Sequence, residues 1–149
     1  MTAPTASLCV RKMLPCSPAE AFQAWTDPVQ FQEWFEPQPG MKTQAQFDVR
    51  VGGKYLITFF PASGKPPVRV VGEFLVVDRP RRLEYTWIWE NNPDWKDRTI
   101  VKLEFNAAGP DRTEIVLTHE NFSDPEDRDA HNEGWSRILD CMAAAKAKK

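Results

Sequence analysis

The stretch SDPEDRDAHNEGWSRILDCMAAAK, residues 123–146, decides the fold. Ser123 and Glu126 have the S-x-x-E spacing of a capping box, and Asp124 and Pro125 fill a first turn where a carboxylate and a missing N–H are both tolerated. Beyond this start, His131, Trp135, Ile138, Leu139 and Met142 recur at helical spacing and so share one face. Arg128, Asp129, Glu133, Arg137 and Asp140 take the other face, and Lys146, Lys148 and Lys149 suit the negative end of the helix dipole. A helix of about twenty residues is roughly 30 Å long and needs one broad apolar partner.

Upstream of this helix the hydrophobic period is two. Ala45, Phe47, Val49 and Val51 alternate with Gln44, Gln46, Asp48 and Arg50, and Gly52-Gly53 predicts a tight hairpin turn into a strand over 54–60. Residues 68–77 read as a longer strand with Gly72 inside it, where a bulge or bend is the usual reason. Leu83, Tyr85, Trp87 and Trp89 point one way along the next strand; Val101, Leu103 and Phe105 do so in the one after, and Ile115, Leu117 and His119 in the last, residues 112–120.

At the N-terminal side, residues 8–14 form a first strand whose faces are incompletely distinguished. Ser17, Pro18 and Glu20 open a short helix that carries Phe22 and Trp25 on one face. Thr26 or Asp27 caps a second helix opened by Pro28, with Phe31, Trp34 and Phe35 as its apolar cluster; Pro37, Pro39 and Gly40 stop it. The expected fold is α+β: one strand, two short helices, about six further antiparallel strands and the long final helix. Only that helix is long enough to cover the sheet, and the space between them is either filled by side chains or left as a cavity. A single domain spans 1–149, with 1–7 and 147–149 expected to be flexible ends.

Composition narrows the function classes. With 19 basic against 21 acidic residues and a net charge of -2, no surface is dedicated to nucleic acid. Cys9, Cys16 and Cys141 form no C-x-x-C pair, which points to reduced thiols and a cytoplasmic location; no secretory signal or membrane-length apolar run is present. Neither H-E-x-x-H nor a Cys/His cluster occurs, so no metal and no cofactor are expected. No G-x-S-x-G elbow is present, and Gly52-Gly53 is followed by no helix that could hold a phosphate. Six Trp and nine Phe fill a core or line a pocket. Arg50 reads as a turn-bracing group, and Trp95 as a gate over a cavity or a ring folded onto the sheet edge.

The run P-A-E-A-F-Q-A-W-T-D-P from Pro18 to Pro28, with Trp34, resembles the proteins similar to the activator of heat-shock-protein-90 ATPase. So do Asp48-Val49-Arg50-Val51-Gly52-Gly53, Tyr85-Thr86-Trp87, Leu117-Thr118-His119-Glu120 and Gly134-Trp135. These proteins lie within the START-like, helix-grip superfamily. The resemblance implies a curved antiparallel sheet of about seven strands gripping the C-terminal helix around a cavity for an apolar or amphipathic small molecule. The superfamily also includes lipid and hormone carriers, polyketide aromatases and cyclases, so fold does not settle activity.

The expected ligand-lining set is Trp34, Phe47, Tyr55, Phe59, Phe74, Tyr85, Trp87, Leu103, Leu117, His119, Trp135 and Leu139, with no catalytic residue assigned. Gly134 would let the helix approach a strand or a ligand closely. In a second reading the protein is an aromatase or cyclase in which His119 and Tyr55 or Tyr85 act as acid and base; against it stands a His119 that merely satisfies the loop 121–124. A third is a protein-interaction module in a stress response, monomer or homodimer. Chaperone activation belongs to longer relatives with an added N-terminal domain, for which 149 residues leave no room.

Overall fold

The computed structural model describes residues 5–90, 92, 95 and 97–147. Its elements are β1 (Ala6–Leu14), α1 (Pro18–Thr26), α2 (Pro28–Trp34), β2 (Lys42–Phe47), β3 (Lys54–Phe60), β4 (Val68–Asp78), β5 (Arg82–Trp89), β6 (Thr99–Gly109), β7 (Arg112–Phe122) and α3 (Pro125–Ala147). One antiparallel sheet of seven strands has the order β1-β7-β6-β5-β4-β3-β2. The chain from β2 to β7 is a meander, and β1 closes against β7, so α1 and α2 connect the two edge strands. A bulge between Phe74 and Val76 in β4 bends the sheet. This is the α+β helix-grip architecture expected from the sequence.

Local chemistry sets the element starts. Ser17 Oγ accepts the Glu20 N–H at 3.2 Å while Glu20 Oε1 accepts the Ser17 N–H at 3.2 Å, a complete capping box. Asp27 caps α2 by accepting the Val29 N–H at 3.0 Å. At α3 the cap moves one residue from the expected Ser123: Asp124 accepts the Glu126 N–H at 2.9 Å, and Ser123 gives both its N–H and its hydroxyl to Asp97. Ser123 is thereby a strut to the loop before β6.

Two other expectations change. β2 stops at Phe47, and residues 48–53 are a turn rather than strand, so Val49 and Val51 leave the alternation and Val51 is exposed. Gly52 takes φ +83° there, and the Gly52 N–H and Gly53 carbonyl bond to Phe74 in β4, which anchors the turn across β3. Gly72 is not itself the bulge. A Cβ on it would lie 2.1 Å from the Thr86 carbonyl oxygen and 2.7 Å from the Tyr55 ring, so close packing of β3, β4 and β5 requires the glycine. β1 begins at Ala6, inside the stretch 1–7 expected to be a tail; β6 and β7 run on to Gly109 and Phe122. Residues 1–4 and 148–149 of the expected flexible ends lie outside the described residues.

α3 runs along β1 and β7 and touches α2, with Trp135, Ile138, Leu139 and Met142 buried. Lys12 of β1 reaches Asp140 at 2.8 Å, and Arg128 donates to the Ser7 carbonyl at 3.1 Å. The helix thus leans on one side of the sheet. Between it and strands β3 to β5, the gap is closed at one end by aromatic rings and left open at the other.

Candidate functional site

The open end is a cavity of about 460 Å³, within the range of small-molecule sites. Phe59 of β3, Val68 of β4, and Trp87 and Trp89 of β5 form the sheet wall; Ala130, His131, Gly134, Trp135 and Ile138 of α3 face them. Pro37, Gln38 and Met41, from the loop after α2, complete the lining with Glu133 and Arg137. That loop is latched to α3. Arg137 Nε donates to the Glu36 carbonyl at 3.1 Å and Nη2 to the Glu36 carboxylate at 2.5 Å.

The expected lining residues divide into two groups. Phe59, Trp87 and Trp135 border the cavity. Phe47, Tyr55, Phe74 and Tyr85 instead surround a void of about 10 Å³, barely room for one water, and so form packed core beside Trp25 and Phe31. Trp34 is buried and donates to the Ala24 carbonyl at 3.1 Å; Leu103, Leu117 and Leu139 are core, each no more than 1% exposed. Gly134 approaches no strand: a Cβ there would meet nothing within 4 Å, and the space beside it belongs to the cavity. Arg50 bonds to Asp48 in an exposed turn.

His119 is fully buried and lines neither of these two spaces. Trp135 Nε1–H donates to its Nδ1 at 3.0 Å, so that nitrogen carries no proton. Its Nε2 faces Thr99 Oγ1 at 2.8 Å, and Thr99 gives its own proton to the Trp87 carbonyl at 2.7 Å. The polarity of this relay is therefore fixed: Trp135 to His119 to Thr99 to the β5 backbone. Burial first, then the neighbouring His131, holds the His119 pKa well below the ordinary histidine range. The partners are Thr99 and Trp135, not the loop 121–124. Tyr55 donates to the Thr86 carbonyl at 2.5 Å, and Tyr85 accepts from Trp25 Nε1 at 3.2 Å. Burial raises the pKa of both phenols. His119 and the tyrosines do not meet in a common solvent-reachable space.

His131, read from the sequence as part of the helix stripe and not placed among the ligand-lining residues, is the imidazole at the cavity wall. Its Nδ1–H donates to the Asp127 carbonyl at 2.7 Å, which leaves Nε2 to accept from Trp89 Nε1 at 2.9 Å. Burial lowers its pKa against the opposing pull of the Asp127 carbonyl and carboxylate. Trp95 folds back here, with ring centroids 5.5 Å from His131 of α3 and 6.3 Å from Phe122 of β7, rather than onto an edge strand of the sheet. Trp87 Nε1 and Trp95 Nε1 are buried without an acceptor, and such a donor costs about 1–3 kcal/mol. The signal for His131 was its position four residues before Trp135. Pro37, Gln38 and Met41 gave no periodic signal, because a loop has none.

Among the described residues no group of three or more His, Cys, Asp or Glu converges as metal ligands, and no helix is long and apolar enough to cross a membrane.

No curated protein matches. Among solved structures, one from Chromobacterium violaceum has TM-score 0.85 at 20% identity, covering 94% of this chain and 96% of that one. An AHSA1 protein from Silicibacter pomeroyi has TM-score 0.83 at 24% identity, covering 96% and 99%. A protein from Mycobacterium smegmatis has TM-score 0.78 at 17% identity, covering 93% and 89%. At these identities the likeness carries the fold. The model of the family described as "Activator of Hsp90 ATPase homolog 1-like protein" matches residues 15–146, which hold six of the seven strands and the three helices, and the chain belongs to that family.

Proposed function

We propose that this protein binds a small, mainly apolar molecule in the cavity between α3 and strands β3 to β5, without catalysing a reaction on it. One observation carries the reading: a space of about 460 Å³ walled by Phe59, Trp87, Trp89 and Trp135, in a fold that packs the equivalent space around Tyr55 and Tyr85 almost solid. Because this cleft is open, its aromatic wall stands in contact with water, and an apolar ligand would cover that surface. The few polar groups at the wall supply orientation. The acid-base pair needed for a cyclase is divided between a sealed histidine and two bonded tyrosines. The unbridged cysteines fit a reducing, cytoplasmic setting.

The test is native mass spectrometry of the gently purified protein, beside a Gly134→Leu variant. Gly134 lines the cavity and a Cβ there would meet no atom within 4 Å, so a leucine side chain would take up part of that space. A copurified small molecule in the wild type that is missing from a folded Gly134→Leu protein supports binding here. A ligand retained undiminished by Gly134→Leu places binding elsewhere and ends the proposal.

A further inference from the structure

The polar groups that border the cavity are nearly all committed to one another, and what is left over carries a sign. The three indoles on its wall have no N–H to offer a ligand: Trp135 Nε1 donates to His119 at 3.0 Å, Trp89 Nε1 donates to His131 at 2.9 Å, and Trp87 Nε1 is buried out of reach of solvent. His131 has no nitrogen to spare either, since its Nδ1–H goes to the Asp127 carbonyl and its Nε2 accepts from Trp89. With Phe59, the indoles therefore present ring surface rather than hydrogen-bond donors. Charge at the rim is unequal. Arg137 is the only basic side chain among the described residues that line the cavity, and its guanidinium turns to Glu36, at 3.1 Å from the carbonyl and 2.5 Å from the carboxylate. Glu133 lines the same space one helical turn earlier, is exposed, and makes no ion pair or side-chain hydrogen bond among the described residues. Two carboxylates thus stand against one guanidinium, and Glu133 is the one without a partner.

We propose, building on the reading of the cavity as a ligand site, that its ligand is an amphipathic organic cation: an apolar body bearing one alkylated ammonium, held against the aromatic wall with Glu133 as its counter-charge. An anion would meet no free donor on the wall and an excess of negative charge at the rim, and would give up its hydration for neither. A cation meets the opposite conditions. Aromatic π-systems attract it, indole most strongly, and the alkyl groups on the nitrogen bury against the same rings as the rest of the molecule. Glu133 keeps its own hydration at the open rim, so its charge costs little to hold there. An ion pair at so exposed a place adds a modest preference; the rings and the apolar body supply most of the affinity.

Two probes that differ in one atom test this. 4-Hydroxyphenyltrimethylammonium and 4-tert-butylphenol share a shape, and the first has a charged nitrogen where the second has carbon. Each is titrated by calorimetry into the wild type, Glu133→Gln and Gly134→Leu, at low and at high salt. The ammonium is expected to bind the wild type about tenfold more tightly than the tert-butyl compound, and to weaken with salt while its partner does not. Glu133→Gln, a change at an exposed helix position, should cut that preference about threefold, and Gly134→Leu should weaken both probes. Equal affinities in the wild type, or tighter binding of the tert-butyl compound, overturn the cation assignment and leave the cavity reading standing. A preference that Glu133→Gln leaves unchanged overturns Glu133 as the counter-charge. Failure of both probes to bind, or binding that Gly134→Leu leaves undiminished, overturns the cavity reading and this inference with it. Should Gly134→Leu fail to fold, the Trp89 and His131 ring resonances of the wild type, followed by NMR during the titration, locate the site: unmoved resonances count as binding elsewhere.

Discussion

Replacing His119 by phenylalanine would remove the relay while keeping an aromatic ring against Phe122, whose centroid is 4.4 Å away. The main loss is the acceptor of the Trp135 indole N–H, now buried and unpaired, which costs about 1–3 kcal/mol near neutral pH. The dependence on pH is the more telling part. Because burial lowers the His119 pKa in the fold, the unfolded chain binds this proton more readily than the native state does. Its contribution is therefore complete above the unfolded value of 6.5 and is lost as pH falls from there toward the folded pKa. From about pH 7.5 to about pH 5.5 a histidine that stays neutral in the fold gives up about 1.4 kcal/mol, and phenylalanine gives up none. Urea unfolding of both proteins across this range should show the His119→Phe variant less stable at the neutral end and the gap narrowing by up to that amount. His131 is present in both proteins, so its own titration enters both curves, while its coupling to His119 belongs to the difference being measured. A gap independent of pH would refute the neutral, relay-bound His119; equal stability at every pH would refute the relay itself.

Three further outcomes are expected in the same unfolding assay. Gly72→Ala should lose about 1–3 kcal/mol or more, because its Cβ would sit 2.1 Å from a backbone oxygen of β5 that cannot swing aside. Gly134→Ala should gain about 1 kcal/mol, since the helix loses a flexible residue and the new methyl meets no atom; a loss of stability there would mean that the helix does approach a neighbour at Gly134. Ser17→Ala should lose about 1 kcal/mol by removing one half of the capping box, while Ser123→Ala should act through the Asp97 strut and leave the α3 cap at Asp124 intact, as helix amide protection would show.

The sequence made the order of elements legible because helix and strand periods differ and proline, glycine and caps mark their limits. Ser17 with Glu20 and the stripe Trp135, Ile138, Leu139 and Met142 were readable for that reason. Valines 49 and 51 continued the alternation of β2 although the chain had already turned, because a bond from Gly52 to Phe74, two strands away, governs the turn. The boundary between core and cavity was harder still. Tyr55, Tyr85, Trp87 and Trp89 alternate alike along inward faces, and only the lean of α3 toward β1 decides which of them border open space. A helix stripe records that a residue faces inward. It does not record how far away the opposite wall stands.

The relay through His119 has a consequence for how selectivity can change. It locks Trp135 on α3 to Thr99 and to the backbone under Trp87, so that face of the cavity behaves as a fixed anvil. Across from it, Pro37, Gln38 and Met41 ride on a short loop held by Arg137 and Glu36, both partly exposed, where an ion pair is worth little. Substitutions in the loop can resize the chamber without disturbing a strand, whereas each residue of the anvil is tied to the next. On the proposed reading, editing residues 36–41 alone would change which molecules fit the chamber while the face formed by Trp87 and Trp135 stays as it is.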